Sequence, residues 1–72
     1  MTDTAKLEQY IRGSGLKRCH IAKVLGLSPH GLAKKIHNKT EFKAEEIAKL
    51  CDLLGISSYA DREAIFFCRR VD

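Results

Sequence analysis

A chain of 72 residues has room for one hydrophobic core, so we expect a single domain over residues 1–72, without a catalytic cleft built on a separate cofactor domain. Its hydrophobic fraction of 44% is typical of a globular protein and argues against disorder. The formal net charge of +4 favours a polyanionic partner.

The first predicted helix carries three apolar residues on one face, spaced i, i+3 and i+4: Leu7, Tyr10 and Ile11. Asp3 or Thr4 is placed to cap its N-terminus, and Gly13 or Gly15 is placed to end it. A second helix carries four apolar residues and stops at Gly26: Ile21, Ala22, Val24 and Leu25. This spacing predicts two short helices before residue 27.

The third predicted helix starts at Ser28, a good N-cap, with Pro29 at the first helical position, where proline is favoured. Leu32 and Ile36, four residues apart, would face the core. The exposed face would then hold His30, Gly31, Lys34 and Lys35.

The fourth predicted helix has a regular apolar stripe and stops at Gly55; the stripe consists of Ile47, Leu50, Cys51 and Leu54. Glu45 and Glu46 lie in its first turn, where carboxylates suit the helix dipole. Lys43 occupies the cap position, where Ser or Thr is more common, which predicts a less firm start.

The fifth predicted helix begins at Ser58, where residues 58–61 have the pattern of a capping box, and continues through Ala64, Ile65 and Phe67. Residues 65–68 are equally compatible with an extended strand. Of the two adjacent phenylalanines, Phe66 and Phe67, we expect one to complete the core and the other to form a homodimer contact. The tail, about 67–72, is expected to be flexible or to lie in that contact, and its pair Arg69-Arg70 is either a solvated tail or a DNA contact.

Residues 18–36 combine into a specific geometry. Ile21 and Leu25 pack inward, the small Ala22 lets the next helix cross closely, and Gly26 permits the positive φ of a sharp turn. Two short helices joined in this way form a helix-turn-helix, whose second helix enters the DNA major groove.

This stretch resembles the lambda-repressor-like, or Cro/XRE-type, regulators of phages and bacteria. The resemblance rests on Ala22, Gly26, Leu27-Ser28 and Leu32, continues through residues 38–42 and 53–56, and covers roughly residues 5–67. It implies an all-α, compact bundle of four to five short helices. It also implies a transcriptional regulator, of the kind of a Cro-like phage or prophage repressor, which binds duplex operator DNA as a homodimer in the bacterial cytoplasm without a cofactor or small-molecule ligand.

On this hypothesis two sets of residues contact DNA. The base-edge set comprises Pro29, His30, Gly31 and Lys34. The phosphate set comprises Lys17, Arg18, Lys35, Asn38 and Lys39. The sequence departs from the family at Arg18, which often is Gln, and at Pro29 and Gly31, which offer no side-chain hydrogen bond, so direct base reading is thinner than usual.

Three other readings of the sequence have less support. Cys19 and His20 are adjacent and point about 100° apart on a helix, which disfavours a nucleophile–base pair and an enzyme. The three cysteines have no C-x-x-C spacing, which disfavours a zinc site or a disulfide framework and fits free thiols in a reducing compartment. No apolar run approaches the roughly 20 residues of a membrane span, and the first residues lack a signal-peptide pattern.

A second functional class stays open, namely a protein-interaction module, such as an antirepressor that binds another phage repressor. A third helix with Pro29, Gly31 and Ala33 near its start is poor in hydrogen-bonding groups and could press against a protein partner.

Overall fold

A computed structural model of the chain describes residues 1–68, and in that range it contains α-helices and no β-strand. The helices are Thr4–Ser14 (α1), Arg18–Leu25 (α2), Pro29–Ile36 (α3), Ala44–Leu54 (α4) and Tyr59–Phe66 (α5). The radius of gyration is 11.2 Å, close to the roughly 11 Å expected for a compact chain of this length. The predicted all-α, compact architecture is therefore confirmed.

Short polar side chains start three of the helices. Asp3 accepts a hydrogen bond from the Lys6 N–H at 3.1 Å, Ser28 accepts one from the Gly31 N–H at 3.0 Å, and Ser58 accepts one from Asp61. Each cap satisfies a backbone donor that the first helical turn leaves free. The predicted starts of α1, α3 and α5 are thus confirmed.

Left-handed residues end three of the helices. Gly26 ends α2 with φ at 73°, a conformation that only glycine adopts without steric cost, and its turn lets α3 follow after Leu27 and Ser28. Gly55 ends α4 as predicted. Of the two candidates at the end of α1, Gly15 is the one that adopts the left-handed conformation.

The start of α4 uses a different device from a capping hydroxyl. Lys43 has no capping side chain, but the Glu46 carboxylate reaches back and accepts the Lys43 N–H at 2.8 Å. This is the second half of a capping box, in which the residue three positions into the helix satisfies the cap residue's own N–H. The expected less firm start is therefore compensated by Glu46.

The core is built from one apolar face of each helix. Its buried members are Leu7, Ile11, Ile21, Ala22, Leu25, Leu32, Ile36, Ile47, Leu50, Cys51, Ile56, Ile65 and Phe66. The inward residues predicted for α2 and α3 are among them. Val24, by contrast, is 39% exposed, and Tyr10 and Leu54 are only partly buried against this core.

The two phenylalanines at the end of α5 separate into a buried and an exposed one. Residue 66 is helical, so the extended alternative for this segment was wrong, and the Phe66 ring packs edge-to-face on Phe42 with ring centroids 5.6 Å apart. Phe67 follows the helix and is 52% exposed. The prediction that at least one is buried is confirmed, with Phe66 rather than Phe67 in the core. The Arg69-Arg70 pair and the rest of the tail lie outside the described residues.

Candidate nucleic-acid interface

The exposed face of α3 lies opposite its two core residues. Leu32 and Ile36 are buried at 1% and 0% exposure, whereas His30 and Lys34, also four residues apart, are both exposed. Pro29 is exposed at the start of the helix, and Gly31 is half-buried at the side. Two hydrogen-bonding side chains therefore project from the middle of this face.

Gly31 has a local structural reason that sequence reasoning missed. A Cβ atom at this position would lie 3.2 Å from the Ser28 Oγ, which is the atom that caps α3 and accepts the Gly31 N–H. A side chain here would crowd the cap. Glycine thus leaves room for the capping hydroxyl, which offsets part of its low helix propensity.

Charge is strongly segregated along the chain. Residues 9–40, which include α2 and α3, contain seven of the 13 Lys and Arg residues and none of the nine Asp and Glu residues. All three histidines lie in the same segment. This acid-free segment is a signal that was visible in the sequence, and a local excess of positive charge of this kind favours a polyanionic partner.

Two of the seven cations in the acid-free segment form ion pairs with carboxylates outside it. Arg18 Nη2 lies 2.9 Å from Glu8 Oε2, and the two side chains remain 45% and 27% exposed. Among residues 1–68, five cations of the segment have no ion-pair partner: Arg12, Lys17, Lys23, Lys34 and Lys39. Of the predicted phosphate contacts, Lys17 and Lys39 are exposed and have no ion-pair partner in this range, whereas Arg18 is exposed but paired with Glu8.

Lys35 is placed differently from the other predicted phosphate contacts. Its ammonium lies 2.8 Å from Glu46 Oε1, and only 12% and 11% of the two side chains is exposed. Burial raises the pKa of the Glu46 carboxyl, but the hydrogen bonds from Lys35 and from the Lys43 backbone, with the charges of both lysines, together bring that pKa below its ordinary value. Lys35 and Glu46 thus form a charged pair inside the protein.

The Asn38 amide also forms hydrogen bonds within the protein. Its Oδ1 accepts the Thr2 N–H and its Nδ2 donates to the Thr2 carbonyl, both at 2.8 Å. The residue has φ at 64°, the left-handed region that asparagine tolerates better than most residues. One N–H of Nδ2 is not used in these bonds, and it is the donor left for the predicted phosphate contact.

Within residues 1–68, the cysteines and the other possible metal ligands do not gather into a metal site. Cys19, Cys51 and Cys68 are free thiols, and Cys51 is buried on the apolar face of α4. Within the described residues, no three His, Cys, Asp or Glu side chains come close enough together to hold a metal ion. Over the same range, no helix has the length and apolar character needed to cross a membrane.

Comparisons of the chain with protein-family models, with curated proteins and with solved structures found no match. The class established by the structure is an all-α domain in which the segment between Gln9 and Thr40 is basic and free of acidic residues. The resemblance to the lambda-repressor-like regulators stays a prediction.

Proposed function

We propose that the chain is a duplex-DNA-binding transcriptional regulator, a Cro-like repressor of a phage or prophage switch, in which α2 and α3 form a lambda-repressor-like helix-turn-helix. The observation that carries the proposal is the acid-free segment, because it encloses a pair of eight-residue helices whose second member exposes a polar face. A basic stripe around such a helix pair is the electrostatic footprint of DNA binding.

The length of the connection between the two helices and its glycine support a helix-turn-helix. Only Gly26, Leu27 and Ser28 separate α2 from α3, and the Leu27 N–H returns to the Ala22 carbonyl at 2.8 Å. Ala22 is fully buried, so its small side chain permits close packing at this point. A turn of three or four residues that contains glycine joins the helices of this motif.

The exposed side chains divide into two roles. His30 and Lys34 face the base edges, where lysine donates to guanine and imidazole donates or accepts. Pro29 and Gly31 add shape rather than hydrogen bonds at the helix start. Three solvent-exposed cations flank this face and meet phosphates: Lys17, Arg18 and Lys39. With three phosphates neutralised per chain, log K falls against log salt with a slope of about −2.7, or about −5.4 for a dimer.

A homodimer completes the proposal, and its contact lies near the end of α5. Phe67 is 52% exposed and Tyr59 is 74% exposed, and the two side chains line one open groove together with Arg62 and Glu63. A two-fold contact must be self-complementary, which apolar rings beside one cation and one anion allow. Two copies would then read two half-sites of a palindrome.

The test is selection of bound duplexes from a random pool at two salt concentrations. We expect an enriched palindrome, and we expect binding to weaken at the higher salt concentration. Lys34→Met should abolish the enrichment, whereas Lys49→Met, which removes an exposed lysine of α4 outside the acid-free segment, should leave it intact. Absence of binding to any duplex at low salt would refute the proposal.

One observation favours the alternative, a module that binds another repressor protein. The first five residues of α3 include the exposed Pro29 and the half-buried Gly31 and Ala33, none of which has a hydrogen-bonding side chain. This reading predicts binding to a repressor that is insensitive to salt and to Lys34→Met. If the selection enriches no duplex and the chain binds a repressor in this way, the alternative is supported.

A further inference from the structure

We propose that Lys35 acts in DNA binding as a positioning residue, paired with Glu46, and that it does not contact a phosphate. The inference rests on the proposed function and concerns how the basic surface is held in place. It assigns to Lys35 and Glu46 the task of fixing residues 37–43, the loop that follows α3 and carries the exposed Lys39. We call residues 37–43 the anchored loop.

The contacts of Lys35 join three parts of the chain. Its Nζ donates to Glu46 Oε1 at 2.8 Å and to the Glu41 carbonyl at 2.9 Å. The same Glu46 oxygen accepts the Lys43 N–H at 2.8 Å. The end of α3, the anchored loop and the first turn of α4 therefore meet at one ammonium and one carboxylate.

The other end of the anchored loop is fixed by Asn38. Its amide forms two hydrogen bonds with Thr2, at the start of α1. Between the two anchors, the N–H groups of Lys39 and Thr40 both return to the Lys34 carbonyl, at 2.8 and 3.4 Å. Lys39 is thus presented by a loop that is bonded on both sides and continues directly from the exposed face of α3.

The ammonium of Lys35 is poorly placed for a phosphate. Two of its three donors are used within the protein, and the side chain is 12% exposed. A phosphate could approach only the third donor of this mostly buried side chain, unless Lys35 left the carboxylate that also caps α4. We therefore infer that Lys35 stays with Glu46 and influences DNA affinity by orienting Lys39 and α3. Its removal should then change the affinity, whereas removal of a cation that neutralises a phosphate also changes the salt dependence.

The salt dependence of DNA binding separates the two roles, because each cation lost from a phosphate contact makes the slope of log K against log salt shallower by about 0.9. The test variant is the double substitution Lys35→Met with Glu46→Gln, which leaves no unpaired charge and keeps an oxygen for the Lys43 N–H. Lys39→Met serves as the matched phosphate-contact control. Binding is measured to the selected duplex across a tenfold range of salt, with helical content and thermal unfolding confirming that each variant is folded.

We expect the double variant to bind several-fold more weakly than the wild type at every salt concentration, with an unchanged slope. As the salt concentration rises tenfold, the affinity of the Lys39→Met variant should fall by a factor about eight times smaller than that of the wild type, because its slope is shallower by about 0.9. Added to the double variant, Lys39→Met should still make the slope shallower by about 0.9, because the loop becomes ordered on binding and Lys39 then reaches its phosphate. Amide exchange of Lys39 and Thr40 should accelerate in the double variant without any DNA.

Each contrary result overturns the inference in a distinct way. A slope shallower by about 0.9 in the double variant would place Lys35 on a phosphate. If the double variant has the affinity and the slope of the wild type, Lys35 and Glu46 contribute to folding and not to DNA binding. Slow amide exchange of Lys39 and Thr40 in the double variant would show that the pair does not anchor the loop. Failure of the wild type to bind duplex DNA would reject the proposed function, whereas the other results concern Lys35 only.

Discussion

The pair of Lys35 and Glu46 predicts an unusual dependence of stability on pH. Lys35→Met leaves the Glu46 carboxylate with its backbone hydrogen bond from Lys43 but without its buried ammonium partner. An unpaired carboxylate on a side chain that is only 11% exposed is costly to keep ionised, and it escapes that cost by binding a proton. We therefore expect the variant to be destabilised at neutral pH and to recover as the pH falls.

The cost of taking up a proton limits the destabilisation. Protonating a carboxyl with the ordinary pKa of 4.5 at pH 7 costs about 3.4 kcal/mol, at about 1.36 kcal/mol for each pH unit. A domain of this size has a free energy of unfolding of about 4 to 11 kcal/mol. Lys35→Met should thus lower it at pH 7 by an amount up to about 3 kcal/mol, and by less than about 1 kcal/mol at pH 5.

The wild type should respond to pH in the opposite direction. Its Glu46 pKa is lowered in the native state, so below the ordinary value of 4.5 the unfolded chain binds more protons and stability is lost as the pH falls. In the variant, we expect burial to outweigh the remaining hydrogen bond and charge of Lys43 and to raise that pKa, so that the native state binds more protons and stability is gained as the pH falls towards 4.5.

Urea unfolding of the wild type and of the Lys35→Met variant between pH 3.5 and pH 7.5 covers both responses, the loss of stability of the wild type below 4.5 and the gain of the variant above it. The control repeats Lys35→Met in a Glu46→Gln background, where no carboxylate is left to titrate and the effect of the substitution should be independent of pH. The reasoning is refuted if Lys35→Met costs the same at both ends of the pH range, or if the pH dependence persists in the Glu46→Gln background.

Three further predictions follow from single contacts. Ser28→Ala should lower the free energy of unfolding by about 1 kcal/mol. Gly31→Ala should stabilise the Ser28→Ala variant more than the wild type, because the hydroxyl that the new Cβ would crowd is gone; equal effects in urea unfolding would contradict this. Asn38→Ala should be less stable than Asn38→Gly by about 1 kcal/mol, since both lose the amide but only alanine is strained at a φ of 64°; the reverse order would contradict it. Phe66→Ala should lower the free energy of unfolding by about 3 to 5 kcal/mol. Phe67→Ala should lower it by less than about 0.5 kcal/mol at high dilution and should weaken self-association in sedimentation. Equal losses of stability in the two variants would contradict the assignment of Phe66, and not Phe67, to the core.

The fold was predictable because its determinants are local. Apolar residues at helical spacing, a serine before Pro29 and a glycine after Leu25 act within one or two turns of chain, so the sequence displays them directly. The bounds predicted for the segment of residues 18–36 coincide with α2 and α3. Periodicity did not predict which of Phe66 and Phe67 is buried. The two residues are adjacent and equally apolar, and they differ because the helix ends between them.

The candidate site was less predictable because its side chains are sorted by distant partners. Lys34 and Lys35 are identical in type and adjacent, yet only Lys35 meets a carboxylate, which lies 11 residues further along. Asn38 finds Thr2 at a separation of 36 residues. No local pattern marks these partners, so a lysine or asparagine placed on the exposed side by periodicity can prove to be a structural anchor.

The composition of the exposed face of α3 bears on why the proposed regulator would act as a dimer. His30 and Lys34 are the two exposed side chains in the middle of that face that are able to form hydrogen bonds. A good contact to a base edge discriminates by about 1 to 3 kcal/mol, so two contacts supply about 2 to 6 kcal/mol. Specific DNA binding exceeds non-specific binding by about 4 to 10 kcal/mol. One copy reaches only the lower part of that range, whereas two copies on a palindrome double the discrimination and span it. The thin reading face and the exposed Phe67 are therefore two aspects of one hypothesis, in which specificity arises from symmetry and affinity from the basic segment.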